Sequence, residues 1–382
     1  MKKSGLFVLK LVLFCLLSSV YAEEPIKIGV SLGLTGRYSE MSDMQMKGFK
    51  LWEHDINKKG GLLGRKVKVI IHDDKSDPLI AKNIYEDLIL KERCDFVFGP
   101  YSSQITEAVV PITEKHHYPL LTSGASADRL WQKGYRYVFG VYTPASKYTI
   151  GFLELIAANN LNNIAIVYAD DIVSIDIAEG AVKWAKRFGL KVVLMKMFKK
   201  GTRDLKYIAL KVKDSNADAL IVCGHLDESI DMRKSLKGIG WYPKVYYASV
   251  GAAMQEYYDA LGIDANYTFS SSQWEPYTRF PGSREFTDSF IKKYNAMPSY
   301  HAATAYAGGQ ILEAAIKKAN SFDRAKIHDI LLVMDIITII GRYGVYTDGM
   351  QKRHFNLIIQ WQNGKKEIVW PDEIRTARPI FK

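Results

Sequence analysis

Apolar and polar positions begin to alternate in blocks at residue 26. Residues 26–32 (IKIGVSL) form an apolar run that predicts a strand. Residues 44–58 then read as a helix, stopped by Gly60-Gly61, as glycines after a last helical turn do. Residues 67–72 are β-branched and predict a second strand. Asp77-Pro78 then caps and starts a helix running to about 91, where proline's missing N–H would be unpaired in any case. Strands at 96–99 and 119–122 flank a helix opened by Ser102 and Ser103. The alternation restarts with strands at 164–168, 191–197, 219–223 and 245–248 and helices at 176–188, 204–214 and 228–239. Strand–helix repetition of this kind argues for α/β architecture with parallel sheets covered on both faces. Helices at 283–294, 301–319 and 323–333 and strands at 341–346 and 354–360 make no complete sheet. They are expected to pack onto the two earlier units.

Residues 1–22 stand apart from this pattern. Lys2, Lys3 and Lys10 give a basic start, residues 11–20 (LVLFCLLSSV) are apolar, and Val20-Tyr21-Ala22 supplies a cleavage site. That is the three-part signal-peptide pattern, with an apolar run shorter than the ~20 residues of a membrane helix. Cys15 follows the bulky Phe14, which argues against lipidation there. No later apolar segment is long, so the rest of the 382-residue chain reads as soluble and long enough for two domains.

The formal net charge of +11 is dispersed. Its densest stretches, KVKVIIHDDK and KMFKKGTRDLK, read as solvated edges, and no basic run is interleaved with aromatics, which excludes a nucleic-acid partner. Cys94 and Cys223 sit at strand ends in apolar surroundings and read as buried free thiols. The pairs His116-His117 and His72-Asp73-Asp74 do not converge on one ion, so no metal is expected. No glycine-rich dinucleotide or phosphate loop occurs and no nucleophile elbow, so neither a cofactor nor an enzyme is expected.

Candidate chemistry lies at two strand ends. Phe98-Gly99-Pro100-Tyr101-Ser102-Ser103 turns from a strand into a helix, and Thr122-Ser123-Gly124-Ala125-Ser126 follows the next strand with the same expected geometry. Helix starts offer free N–H groups to an anion, and ligands of parallel α/β sheets bind off the carboxyl ends of strands. Ordinary N-capping explains either serine cluster equally well in isolation.

Context favours the binding reading. Ile56-Asn57-Lys58-Lys59-Gly60-Gly61-Leu62-Leu63-Gly64-Arg65, then Asp73-Asp74-Lys75-Ser76-Asp77-Pro78, resembles the signature of periplasmic substrate-binding proteins of the branched-chain amino acid type. Gly33-Leu34-Thr35-Gly36, residues 99–103, residues 123–127 and Ile164-Ala165-Ile166-Val167-Tyr168 are similar to that family in the same order. The resemblance implies two Rossmann-like lobes joined by a three-crossover hinge, with lobe 1 at 23–142 plus 274–351 and lobe 2 at 143–273 plus 352–382. It also implies a monomer in the periplasm that hands a small-molecule ligand to the membrane permease of an ABC importer.

By the same resemblance Ser103, Gly124 and Ser126 would hold a ligand carboxylate, and Tyr38, Met41, Tyr101, Tyr142 and His301 would line the cleft. Ordinary packing remains an equal reading of those five. In lobe 2 the family's ammonium-binding acid falls on Val250, and its aromatic hydroxyls fall on Val173 and His225. A slip of one or two residues would bring in Asp170, Asp171 or Asp227 instead. His225 reads equally as a ligand donor or as a satisfied strand-end histidine. The expected ligand is therefore a carboxylate without an α-ammonium: an aromatic or aliphatic acid, or a keto acid. The alternatives are an amino-acid-binding member of the same family and a ligand sensor for a separate membrane receptor.

Overall fold

The structure, a computed structural model, describes residues 24–381 except 277; the expected leader at 1–22 lies outside the described residues. The first sheet has the order β2-β1-β3-β4-β5, all parallel. Its strands are β1 (Ile26–Leu32), β2 (Val67–Asp73), β3 (Phe96–Phe98), β4 (Leu120–Thr122) and β5 (Val138–Gly140). The helices α1 (Ser39–Lys58), α2 (Pro78–Leu90) and α3 (Ser103–Lys115) connect them. Asp77 caps α2 as its sequence requires, accepting from Leu79 N at 2.7 Å and Ile80 N at 3.0 Å.

After α4 (Ile150–Ala158) the chain builds a seven-stranded sheet. Its parallel part is β6 (Asn163–Ala169), β7 (Lys191–Phe198), β8 (Ala219–Cys223), β9 (Val245–Ala248) and β10 (Thr268–Ser272). The interleaved helices are α5 (Ile172–Arg187), α6 (Lys206–Asp214), α7 (Leu226–Gly238) and α8 (Gln255–Leu261). The C-terminal elements divide between the two units. Helices α9 (Ser283–Tyr294), α10 (Tyr300–Ala319) and α11 (Arg324–Val333) follow β10. Helix α10 lies so close on α1 that a Cβ on Gly48 would meet Ala302 O at 2.2 Å. Strands β11 (Ile336–Thr338) and β12 (Gly341–Tyr343) form a separate two-stranded ribbon. Strands β13 (Leu357–Gln362) and β14 (Lys365–Trp370) extend the second sheet antiparallel from β10.

Several elements differ from the sequence pattern. α1 starts five residues before 44, and α5 starts at Ile172 because Asp171 is its cap, accepting from Ser174 N at 3.3 Å. The segment after β4 opens no α-helix. Residues 123–127 bend at Ser123-Gly124 and run irregularly into a single 3-10 turn, Asp128–Leu130. Their backbone groups have other partners: Ser126 N and Ala127 N donate to Ser103 Oγ, each at 3.1 Å, and Ser126 O accepts from Ala145 N at 2.7 Å. Cys94 and Cys223 are buried free thiols. Among the described residues no helix is long and apolar enough to cross a membrane.

Candidate binding cleft

The carboxyl ends of the two parallel sheets face each other. On the first wall, β3 runs out through Gly99 to Tyr101 and into α3. Ser103 receives the two N–H groups from the neighbouring loop, and its own hydroxyl proton remains available as a donor. A Cβ on Gly124 would meet Gln45 Nε2 at 2.8 Å and Pro100 O at 2.9 Å, so only glycine lets these two strand-end loops touch. Ser103, Gly124 and Ser126 are thus brought together. Ser126 contributes from an irregular loop, not from the helix start expected of it. Gln273 Nε2 donates to the Tyr148 hydroxyl at 2.9 Å, and burial pushes that phenol up. In the sequence Ser102 reads as one of the two serines that open a helix. Yet its side chain makes no cap bond, and its buried Oγ has no protein partner among the described residues.

An arc of rings continues the wall. Tyr38 lies edge-on to Tyr101 with centroids 5.3 Å apart, Tyr101 is edge-on to His301 at 5.3 Å, and His301 stacks on Tyr300 at 4.0 Å. Tyr142 meets Tyr300 at 6.0 Å. Met41, one turn into α1, is buried in the same apolar cluster as Tyr38 and Tyr101, and Val173 and Val250 of the second wall join that cluster. Burial and the charges of His225 and Lys366 pull the His301 imidazole down to about 3.

The second wall is built on charge. Asp171 caps α5 and accepts from Ser174 Oγ at 2.8 Å. Lys200 Nζ lies 3.5 Å from its carboxylate and His225 Nε2 lies 3.6 Å away. Burial alone would raise the Asp171 carboxyl, but His225, Lys200 and the Ser174 hydroxyl outweigh it and hold it well below the usual carboxylate range. Burial likewise opposes the charge on Lys200, and Asp171, Tyr38 and Glu228 overcome it, so the ammonium titrates above its usual value. His225 caps α7, and its backbone N donates to Glu228 Oε2 at 3.1 Å. Val250 lies beside this cap, its N donating to Gly224 O at 3.4 Å. Of the three acids near the aligned positions, only Asp171 is buried. Asp170 takes up Lys200 N at 2.7 Å from an exposed position, and the Asp227 side chain is 64% exposed.

Lys200 is the correction here. KMFKKGTRDLK reads as a solvated edge, yet the Lys200 side chain is only 13% exposed and donates across the cleft to Tyr38 Oη at 3.1 Å. Arg129 adds a second bridge, 2.8 Å from Asp176 on α5. Walls in contact leave a cavity of about 60 Å³ bordered by Tyr38, Met41, Lys200 and His225. A larger depression of about 490 Å³ opens where Lys244 and Tyr267 lead into β9 and β10, at the amino ends of those strands. Parallel sheets place ligands at the carboxyl ends of their strands, the end at which the smaller cavity lies.

Comparison with known proteins agrees with this geometry. A family profile described as periplasmic binding protein matches residues 25–366. A Leu/Ile/Val-binding protein homolog 7 of Brucella suis is 28% identical over 371 residues, covering 92% of each chain. The substrate-binding protein of a branched-chain amino acid transporter from Streptococcus pneumoniae, solved with isoleucine, superposes with a TM-score of 0.80 at 24% identity. That match covers 90% of this chain and 98% of that one. A solute-binding protein of an ABC transporter from R. palustris, solved with benzoate, also reaches 0.80, at 16% identity, covering 94% and 98%. At these identities the two solved structures speak for the fold alone.

Proposed function

This chain belongs to the periplasmic binding protein family, and from that premise we propose that it is an exported receptor for a small organic carboxylate lacking an α-ammonium. It catalyses no reaction and delivers its ligand to the membrane permease of an ABC importer. Residues 1–22 act as its cleaved leader. Its lobes span 23–142 plus 274–351 and 143–273 plus 352–382, and hinge closure between them traps the ligand. The ligand carboxylate sits against Ser102, Ser103, Gly124 and Ser126. Tyr38, Met41, Tyr101, Tyr142 and His301 wall it on one side, and Val173, His225 and Val250 on the other.

One observation carries the ligand class: the buried acids of the second wall are already engaged. Asp171 is held by Lys200 and His225, Glu228 accepts the backbone N–H groups of His225 and Gly201, Asp176 pairs with Arg129 and Asp231 with Arg203, and Val250 is apolar. An α-ammonium closing into this wall would be left without a free counter-charge, which costs several kcal/mol. Micromolar binding needs only about 8 kcal/mol in total, so that loss decides specificity. A second reading, an amino-acid receptor, is favoured by the names of the Brucella relatives; it requires the ligand ammonium to displace Lys200 from Asp171.

A thermal-shift screen separates the two, because a ligand that binds only the folded state raises Tm by mass action. Shifts with benzoate, aliphatic acids or keto acids and none with leucine support the carboxylate reading. A shift with leucine that Asp171→Asn removes supports the amino-acid reading.

A further inference from the structure

We propose that His301 Nε2 reads an uncharged oxygen at the far end of the ligand, so that this cleft selects a monocarboxylate bearing a neutral hydrogen-bonding group such as a hydroxyl. The inference rests on the carboxylate reading above and narrows it.

His301 lies in the first turn of α10 and is fully buried. Its ring is fixed from two sides, stacked on Tyr300 at an interplanar angle of 26° and edge-on to Tyr101 at 67°. Nδ1 is 3.5 Å from Ser299 Oγ, while Nε2 has no protein partner among the described residues. A buried polar atom without a partner is rare and calls for an explanation. A phenylalanine would stack in the same place without that penalty. The ring borders Tyr101, which meets Tyr38, and Tyr38 in turn lies 5.8 Å from His225 of the second wall. Nε2 is therefore an unused hydrogen-bonding atom on the ring arc that lines the first wall.

The group it takes must be neutral. Burial keeps the imidazole uncharged far below physiological pH. Lys200, a cation of the facing wall, is matched with Asp171, and Lys366 with Glu275 at 3.1 Å. A second ligand carboxylate would thus be buried without a counter-ion. A neutral imidazole nitrogen offers either a lone pair or an N–H, according to tautomer. A hydroxyl both donates and accepts, so it satisfies Nε2 in either form.

The test is calorimetric titration of the full-length exported protein with matched acids. The set is benzoate, the three hydroxybenzoate isomers and terephthalate, with hexanoate, 6-hydroxyhexanoate and adipate as the aliphatic series. At least one hydroxylated acid is expected to bind about tenfold or more tighter than its parent, the value of one well-made buried hydrogen bond, and the diacids to bind weakest. In His301→Phe the ratio of hydroxylated to parent affinity falls toward one. In the ¹⁵N spectrum of the unmutated protein, the His301 Nε2 signal moves with the preferred hydroxy acid and not with its parent, a readout independent of how the variant folds. Equal affinities within each series, a ratio that survives His301→Phe, or an unmoved Nε2 signal overturns the inference and leaves the carboxylate reading standing. Binding of leucine with no response to any of these acids overturns the carboxylate reading and this inference with it.

Discussion

On the wall built from residues 99–126 the polar groups are neutral and partly idle: Ser102 Oγ is buried with no protein partner among the described residues, and Ser103 keeps its hydroxyl proton while its oxygen holds two N–H groups. On the wall built from residues 169–250 the carboxylates are charged and committed, Asp171 to Lys200, His225 and Ser174, and Glu228 to the backbone N–H groups of His225 and Gly201, while His225 Nδ1 is buried with no protein partner among the described residues. Neutral donors with spare capacity suit an incoming anion, because the ligand completes their hydrogen bonds. A saturated ion cluster has nothing left to offer a second charge, and it serves better as a rigid face against which the lobes shut. Each wall does what the other cannot, and the difference can be attacked experimentally.

The largest effect belongs to the committed wall. Asp171→Ala leaves the Lys200 ammonium with Tyr38 Oη as its remaining close partner, in a site where its side chain is 13% exposed. Breaking one half of a buried pair costs about 3–5 kcal/mol, so urea denaturation should show a loss of that order. Adding Lys200→Met should return most of it, since the orphaned charge is then gone. A double variant as unstable as the single would mean that Asp171 acts through its cap on α5 and not through charge.

The neutral wall is the better place to break binding. Gly124→Ala drives a methyl against Pro100 O at 2.9 Å and Tyr101 Cα at 3.1 Å, both backbone atoms that cannot step aside. Strain of about 1–3 kcal/mol is expected, and the loops carrying Ser103 and Ser126 are forced apart. Ligand affinity should fall more steeply than stability, measured by titration and denaturation on the same variant. A fall in stability alone would detach Gly124 from the site.

How much of this was visible in the residues depends on the distance over which each feature is satisfied. β1, β6, β8 and β9 are apolar runs, and local pattern suffices to find them. β10 lies outside the sequence pattern because TFSSS is not an apolar run. Its serines are buried, and Ser270 and Ser271 donate to Ser249 O and Tyr148 O, each at 2.6 Å, partners 21 and 123 positions away that no local pattern reveals. The expected helix at Ser126 failed for a similar reason: the N–H groups a helix start would leave free are taken by Ser103, 23 and 24 positions earlier. Lys200 looked solvated because its counter-charge comes from the end of another strand. Strand-end loops were legible as a site, whereas their division into an idle wall and a committed one depends on long-range pairing.

Acid should sharpen the contrast. His301 and His354 are pulled down by burial to about 3 and about 4, so both stay neutral in the folded protein while the unfolded chain takes up protons near 6.5. Depressed histidines leave stability intact above about 6.5 and remove it as pH falls toward the folded values, by up to roughly 1.4 kcal/mol per pH unit for each. Asp74, buried and pushed up to about 6, works in the opposite sense between about 4 and 6, because there the folded state holds the extra proton. Denaturation curves from pH 7.5 to 4.5 should therefore show a net fall that begins above pH 6. His301→Phe with His354→Phe should leave the Asp74 contribution and turn the fall into a shallow rise. A flat profile in the unmutated protein would show that these histidines are hydrated in solution.

The smallest effect tests the contact between the walls. Arg129 follows the first wall in the turn Asp128–Leu130, and its Nη2 lies 2.8 Å and its Nε 3.2 Å from Asp176 Oδ1 on α5. The Arg129 side chain is 32% exposed, so solvent screens the pair, and its removal should cost about 1 kcal/mol or less. If that energy is present only when the lobes are shut, Arg129→Ala lowers the affinity for every ligand by the same factor, about fivefold at most, because 1.4 kcal/mol corresponds to tenfold. The ranking among ligands stays as it was, since Arg129 stands outside the group of side chains that reads them. A change in ranking would place Arg129 in the site itself. An unchanged affinity, with the compactness of the liganded protein in solution scattering also unchanged, would mean that the Lys200–Tyr38 bond carries the closure between the walls unaided.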